Sequence, residues 1–97
     1  MHRPTITILG SVPRYSGTEF LMPADNHVEV LKWLQEEGVT TRFSRRDNRP
    51  AIKIRDYFAS FCRPGMRVGQ TVEVVPMKNG RKGIRAVSLT IFLRDRT

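Results

Sequence analysis

The amino-acid sequence predicts an α+β fold in which strands predominate. Three observations lead there. Short runs rich in β-branched residues alternate with period two, among them TITILG, TVEVV and IRAVSLTIFL. A single segment, ADNHVEVLKWLQEEG, carries apolar residues at convincing helical spacing. Neither long heptads nor regular strand–helix–strand alternation occurs, which argues against a helical bundle and a doubly wound sheet.

Each element follows from local chemistry. The first strand is expected from Thr5 to Val12, with Ile6 and Ile8 on one face and Thr5 and Thr7 on the other. Pro13 and the RYSG after it interrupt that strand, so VPRYSGT reads as a loop, and EFLM as a short apolar strand ended by Pro23. In the helix, Val28, Leu31 and Leu34 recur at helical spacing, flanked by Val30 and Trp33, and Gly38 stands where a C-terminal cap belongs. Asp25 or Asn26 supplies the N-cap; with Asn26 there, Glu29 falls at N3 of a capping-box-like arrangement.

VTTRF and AIKI, separated by the turn formers of RRDNRP, should pair as a hairpin. If Phe43 points into the core, alternation sends Arg42, Ser44 and Arg46 to the opposite face. Inward Ile52 and Ile54 likewise leave Lys53 and Arg55 outward. RDYFASFC reads as a second, short helix capped by Asp56, with Tyr57, Phe58, Phe61 and Cys62 on its apolar stripe, stopped at Pro64 and Gly65. GQTVEVV is a strand with Val72 and Val74 on one side, and KNGRKG holds the hairpin-favouring Asn79-Gly80 pair. In the final strand Val87, Leu89, Ile91 and Leu93 should alternate inward.

A chain of 97 residues is the size of one domain, spanning 1–97. It has no apolar run near the roughly 20 residues that cross a bilayer, and MHRPTITILG lacks the pattern of a signal peptide, so a cytoplasmic protein is expected. Cys62, the lone cysteine, lies far in sequence from His2 and His27, which leaves no metal-ligand spacing. It is expected as a small core residue, and neither metal nor cofactor is expected.

The net charge is +8, unevenly spread: residues 1–41 carry −2 and residues 42–97 carry +10. An excess of this size attracts polyanions. Nucleic acid is the expected partner. An anionic membrane would call for a basic amphipathic helix, which the sequence lacks. The densest stretch, RFSRRDNRPAIKIR, places six cations in fourteen residues: Arg42, Arg45, Arg46, Arg49, Lys53 and Arg55. Arg42, Arg46, Lys53 and Arg55 share a strand face by parity and suit phosphates, whereas Arg45 and Arg49 near the turn suit base edges. Lys78, Arg81, Lys82 and Arg85 form a second basic cluster, either a further contact site or charge that keeps a long hairpin soluble.

Catalysis is not expected. Acid–base or nucleophilic chemistry needs a titratable group with an orienting partner, and His2, His27 and Cys62 each have an ordinary structural explanation. NGRKG sits between two strands and is not a phosphate loop joining strand to helix.

FLMPADNHVEVL resembles the strand–Pro–helix segment of the plant B-three DNA-binding domains, and AIKIRDYFASFCRPGMRVGQTVEVV is similar to their later strand, short helix, Gly-bearing turn and strand. The resemblance extends to the effector-binding domains of some restriction endonucleases. It implies a small open pseudobarrel of about six to seven strands with two short helices, gripping double-stranded DNA in the major groove between two arms. On this chain the implied first arm is VPRYSGT, with Arg14, Tyr15 and Ser16. The second lies near RFSRRDNRP, with Arg42, Ser44, Arg45, Arg46 and Arg49. Two alternatives stand beside it. One is a single-stranded DNA or RNA binder on a small OB-like barrel, for which Tyr15 and Phe92 are the exposed aromatic candidates. The other is a basic assembly protein with an acidic protein partner.

Overall fold

A computed structural model of the chain describes residues 4–13, 21–44, 48–53 and 62–92. Within them the expected α+β architecture is present, with strands predominating. The elements run β1 (Thr5–Ser11), β2 (Leu21–Pro23), α1 (His27–Glu37), β3 (Arg42–Phe43), β4 (Pro50–Lys53), β5 (Arg67–Pro76) and β6 (Lys82–Ile91). They form two three-stranded antiparallel sheets, ordered β1-β5-β6 and β2-β4-β3. The second helix expected from Asp56, and the inward positions of Ile54 and Leu93, lie outside the described residues.

Alternation builds β1 as anticipated. Ile6 and Ile8 are buried, while Thr7 on the other face meets its cross-strand partner Thr71 through a hydroxyl–hydroxyl hydrogen bond of 2.8 Å. The core gathers Ile6, Ile8, Val68 and Val72 from the first sheet, Met22 and Ile52 from the second, and Val30, Trp33 and Leu34 from the helix. β1 and β2 approach closely at Gly10, where an added Cβ would stand 2.7 Å from the Pro23 carbonyl oxygen and 2.9 Å from Met22 Cγ. Gly10→Ala should therefore destabilise the fold by about 1–3 kcal/mol, as typical of overpacking. Urea unfolding is the check, and an unchanged midpoint would contradict this approach of the strands.

The helix ends as expected. Gly38 adopts φ 68°, and the Val39 N–H donates to the Leu34 carbonyl at 2.9 Å, closing the helix with a left-handed residue that glycine adopts without a Cβ penalty. Its start differs from the capping-box expectation. Asn26 holds the N-cap position but makes no side-chain cap bond. Instead its Oδ1 accepts from the Leu9 N–H at 2.9 Å, and its Nδ2 donates to the Thr7 carbonyl at 2.9 Å and to Glu29 Oε1 at 3.1 Å. The adjacent Asp25 N–H donates to the Leu9 carbonyl at 2.7 Å. Asn26 thus satisfies backbone groups along the outer edge of β1, an edge that would otherwise lack partners. On the helix surface Val28 is 72% exposed rather than inward, and the buried stripe is Val30, Trp33 and Leu34.

β3 and β4 pair as the anticipated hairpin, with Arg42 opposite Ala51 and Phe43 opposite Pro50. Phe43 shares the parity of buried Ile52, yet it is 45% exposed because β3 is a two-residue edge strand. The expectation of a core Phe43 is corrected accordingly. The β5–β6 hairpin also forms, but its loop is longer than the two residues of an Asn-Gly hairpin turn. Pairing stops at Pro76 and Lys82, and Asn79 and Gly80 take φ 69° and 72° inside a short 3-10 segment, Lys78–Gly80. Along β6 the register shifts between Thr71 and Val72: Thr71 faces Ser88 whereas Val72 faces Ala86. The extra residue is Val87, and it is exposed, so the expected inward alternation through Val87 and Ile91 fails. Ile84 and Leu89 are the β6 side chains that pack against the core.

Candidate nucleic-acid interface

Sheet pairing brings together cations that lie far apart in sequence. Arg42 and Lys53 stand on neighbouring strands of the second sheet with the same parity, through the Arg42–Ala51 register. Arg85 comes from β6 of the first sheet. The three residues border one groove of about 660 Å³ between the sheets, with Leu21, Ala51, Ile84 and Ala86 as its apolar lining. The Arg85 side chain itself lies with Glu73 on the face of its sheet opposite Ile84 and Ala86, so Arg42 and Lys53 are the cations on the groove. Met77 and Gly83, which flank the loop carrying Lys78 and Arg81, line it too.

The partners of these charges differ. Arg85 is ion-paired with its cross-strand neighbour Glu73, an exposed pair of the kind worth at most about 1 kcal/mol and readily exchanged for another anion. Lys53, Lys78 and Arg81 have no ion-pair partner among the described residues. Lys82 is directed elsewhere: its Nζ donates to the Glu37 carbonyl at 3.3 Å, placing a cation on the C-terminal end of α1 and offsetting the acids there. Arg49 lies 3.6 Å from Asp25, which also pairs with Arg67. Arg49 therefore belongs to a cluster at the start of α1 rather than to the groove. Ser44 is half-buried, its N–H donating to the Arg49 carbonyl at 2.8 Å within the turn. Arg14, Tyr15, Ser16, Arg45, Arg46 and Arg55 lie outside the described residues.

Two features escape the sequence argument. Phe43 presents an exposed aromatic ring beside Arg42. Gln70, wholly buried on β5, lines the groove; its Nε2 donates to the Lys53 carbonyl at 3.4 Å, and its Oε1 has no partner among the described residues. The signal for Gln70 was a polar residue at the inward parity of Val68 and Val72, since it stands opposite buried Ile8.

Among the described residues no group of three or more His, Cys, Asp or Glu side chains is placed to hold a metal. Cys62 packs half-buried against the core, and desolvation pushes its thiol above the ordinary value. No helix among those residues is long and apolar enough to cross a membrane. Neither a family of proteins, nor a curated protein, nor a solved structure matches this chain.

Proposed function

We propose that this chain binds double-stranded DNA through its basic β surface and loops, reading sequence in the major groove. The observation that carries this is the convergence of Arg42 and Lys53 on one groove beside the Lys78 and Arg81 loop, in a chain of net charge +8. Two small sheets flanking a basic opening suit an open pseudobarrel of six to seven strands similar to the B-three domains, and that finer architecture belongs to the same proposal. So do a non-catalytic role and a cytoplasmic location. If four to six cations meet phosphates, log K for duplex binding falls against log salt with a slope of about −4 to −5, roughly 0.9 per phosphate. Lys53→Ala should weaken all sequences alike and reduce that slope by about one. The measurement is a salt titration of a fluorescent duplex; a slope near zero, or failure of DNA to displace an acidic peptide, overturns the proposal.

Single-stranded DNA or RNA is the second reading, and the exposed rings of Phe43 and Phe92 favour it. Aromatic side chains stack on bases whatever their identity. Competition between a duplex and its separated strands, repeated with Phe43→Ala, distinguishes the two.

A further inference from the structure

A buried carboxamide oxygen without a donor is an expensive arrangement in a folded core, and native structures rarely keep one without a use. Gln70 Oε1 is such an atom. Its orientation is set by chemistry: the Lys53 carbonyl accepts only, so the Gln70 NH2 must face it and the oxygen must face away. That single 3.4 Å bond is long, and the terminal torsion of glutamine is soft, so a small rotation presents the oxygen to a donor in the groove. The groove then offers, in order, an acceptor at its floor, apolar walls from Leu21, Ile84 and Ala86, and cations at Arg42 and Lys53. Lys53 joins the two ends, since its backbone carbonyl holds the Gln70 amide while its side chain stands exposed at the groove.

From this we infer that the groove holds one nucleoside phosphate, its base against the apolar walls with a ring or amino N–H on Gln70 Oε1, and its phosphate on the Arg42 and Lys53 side chains. The inference rests on the second, single-strand reading above and deepens it. A base reaches this depth only when unstacked, so the unit is either a free nucleotide or one splayed from a strand. A stripe of cations alone would take phosphate without regard to the base; Gln70 adds the requirement for a donor.

The test is an NMR titration of isotope-labelled protein with the four nucleoside 5′-monophosphates, and with inorganic phosphate in parallel. The monophosphates should shift the Gln70 carboxamide and Ala86 signals, while inorganic phosphate should shift only the cationic side chains. Gln70→Leu should weaken monophosphate binding about tenfold, the loss of one hydrogen bond to a buried group, and leave phosphate binding unchanged. Ala86→Leu, which fills the groove and retains Gln70, should do the same, and thermal melts confirm that both variants fold. Equal affinity for phosphate and monophosphates, indifference to both substitutions, or no binding of any monophosphate overturns the inference. Short single strands form a second arm: tighter binding with the same Gln70 dependence assigns the nucleotide to a strand, and dependence seen with monophosphates alone assigns it to the free pool. Duplex affinity of the unsubstituted protein is measured separately, so failure of the duplex proposal is distinguished from failure of the groove.

Discussion

Trp33→Ala is expected to lower the free energy of unfolding by about 3–5 kcal/mol, the range for truncating a large buried aromatic. Trp33 is 3% exposed and lies with Val30 and Leu34 on the stripe that joins α1 to both sheets, so its removal opens a cavity where all three layers meet. Small domains have only about 5–15 kcal/mol in total. The variant should therefore unfold well below the wild-type midpoint in urea, with an unchanged slope. Unchanged melting accompanied by lost nucleic-acid binding would make Trp33 a surface contact and contradict the packing described.

Asn26→Ala is expected to cost about 2–4 kcal/mol. The substitution strips partners from the Leu9 N–H and the Thr7 carbonyl together, at about 1–3 kcal/mol for each polar group left unsatisfied, with the lower part of the range appropriate to a part-buried site. An ordinary N-cap loss would be nearer 1 kcal/mol. Asn26→Asp separates the two roles further. The new carboxylate still accepts from Leu9, but its second oxygen replaces a donor and faces the Thr7 carbonyl and the Glu29 carboxylate. Its folded-state pKa should lie above the unfolded value, because protonation restores a donor. The penalty should then be small in acid and appear as pH rises through the carboxylate range. Urea midpoints at acidic and neutral pH, compared with wild type, measure it; equal penalties at both would show that Nδ2 contributes little.

These two residues also mark where sequence is informative. α1 was legible because helical spacing and a left-handed Gly38 are local properties, and β1 because its period-two pattern is uninterrupted. The part played by Asn26 was not, because a good N-cap residue and a clip on a distant strand use the same side chain. Val87 misled for a different reason: parity arguments assume a regular ladder, and the shift between Thr71 and Val72 breaks it on the partner strand. Phe43 has core parity but, among the described residues, stands on an edge strand. For the candidate interface, the basic character of residues 42–97 was plain, whereas the groove that Arg42 and Lys53 share with Gln70, Ile84 and Ala86 depends on two sheets packing together and is invisible to local spacing. Arg49 was drawn to Asp25, a partner that the local charge count around it did not include.

The pairing of β1 with β5 bears on how the chain reaches this structure. Thr5 meets Glu73 and Ser11 meets Arg67, so the β1–β5 ladder closes a loop of more than half the chain before its first hydrogen bond forms. Loop closure on that scale must precede the reward of contact, which slows folding relative to a helical protein of the same length. During synthesis β1 waits while its partner strand is made. Contacts with Met22, Pro23, Asp25 and Asn26, all within twenty residues, are open to it before then, and those with Asp25 and Asn26 occupy the edge of β1 that β5 does not use. A nascent chain can therefore dock α1 on β1 without obstructing the later arrival of β5.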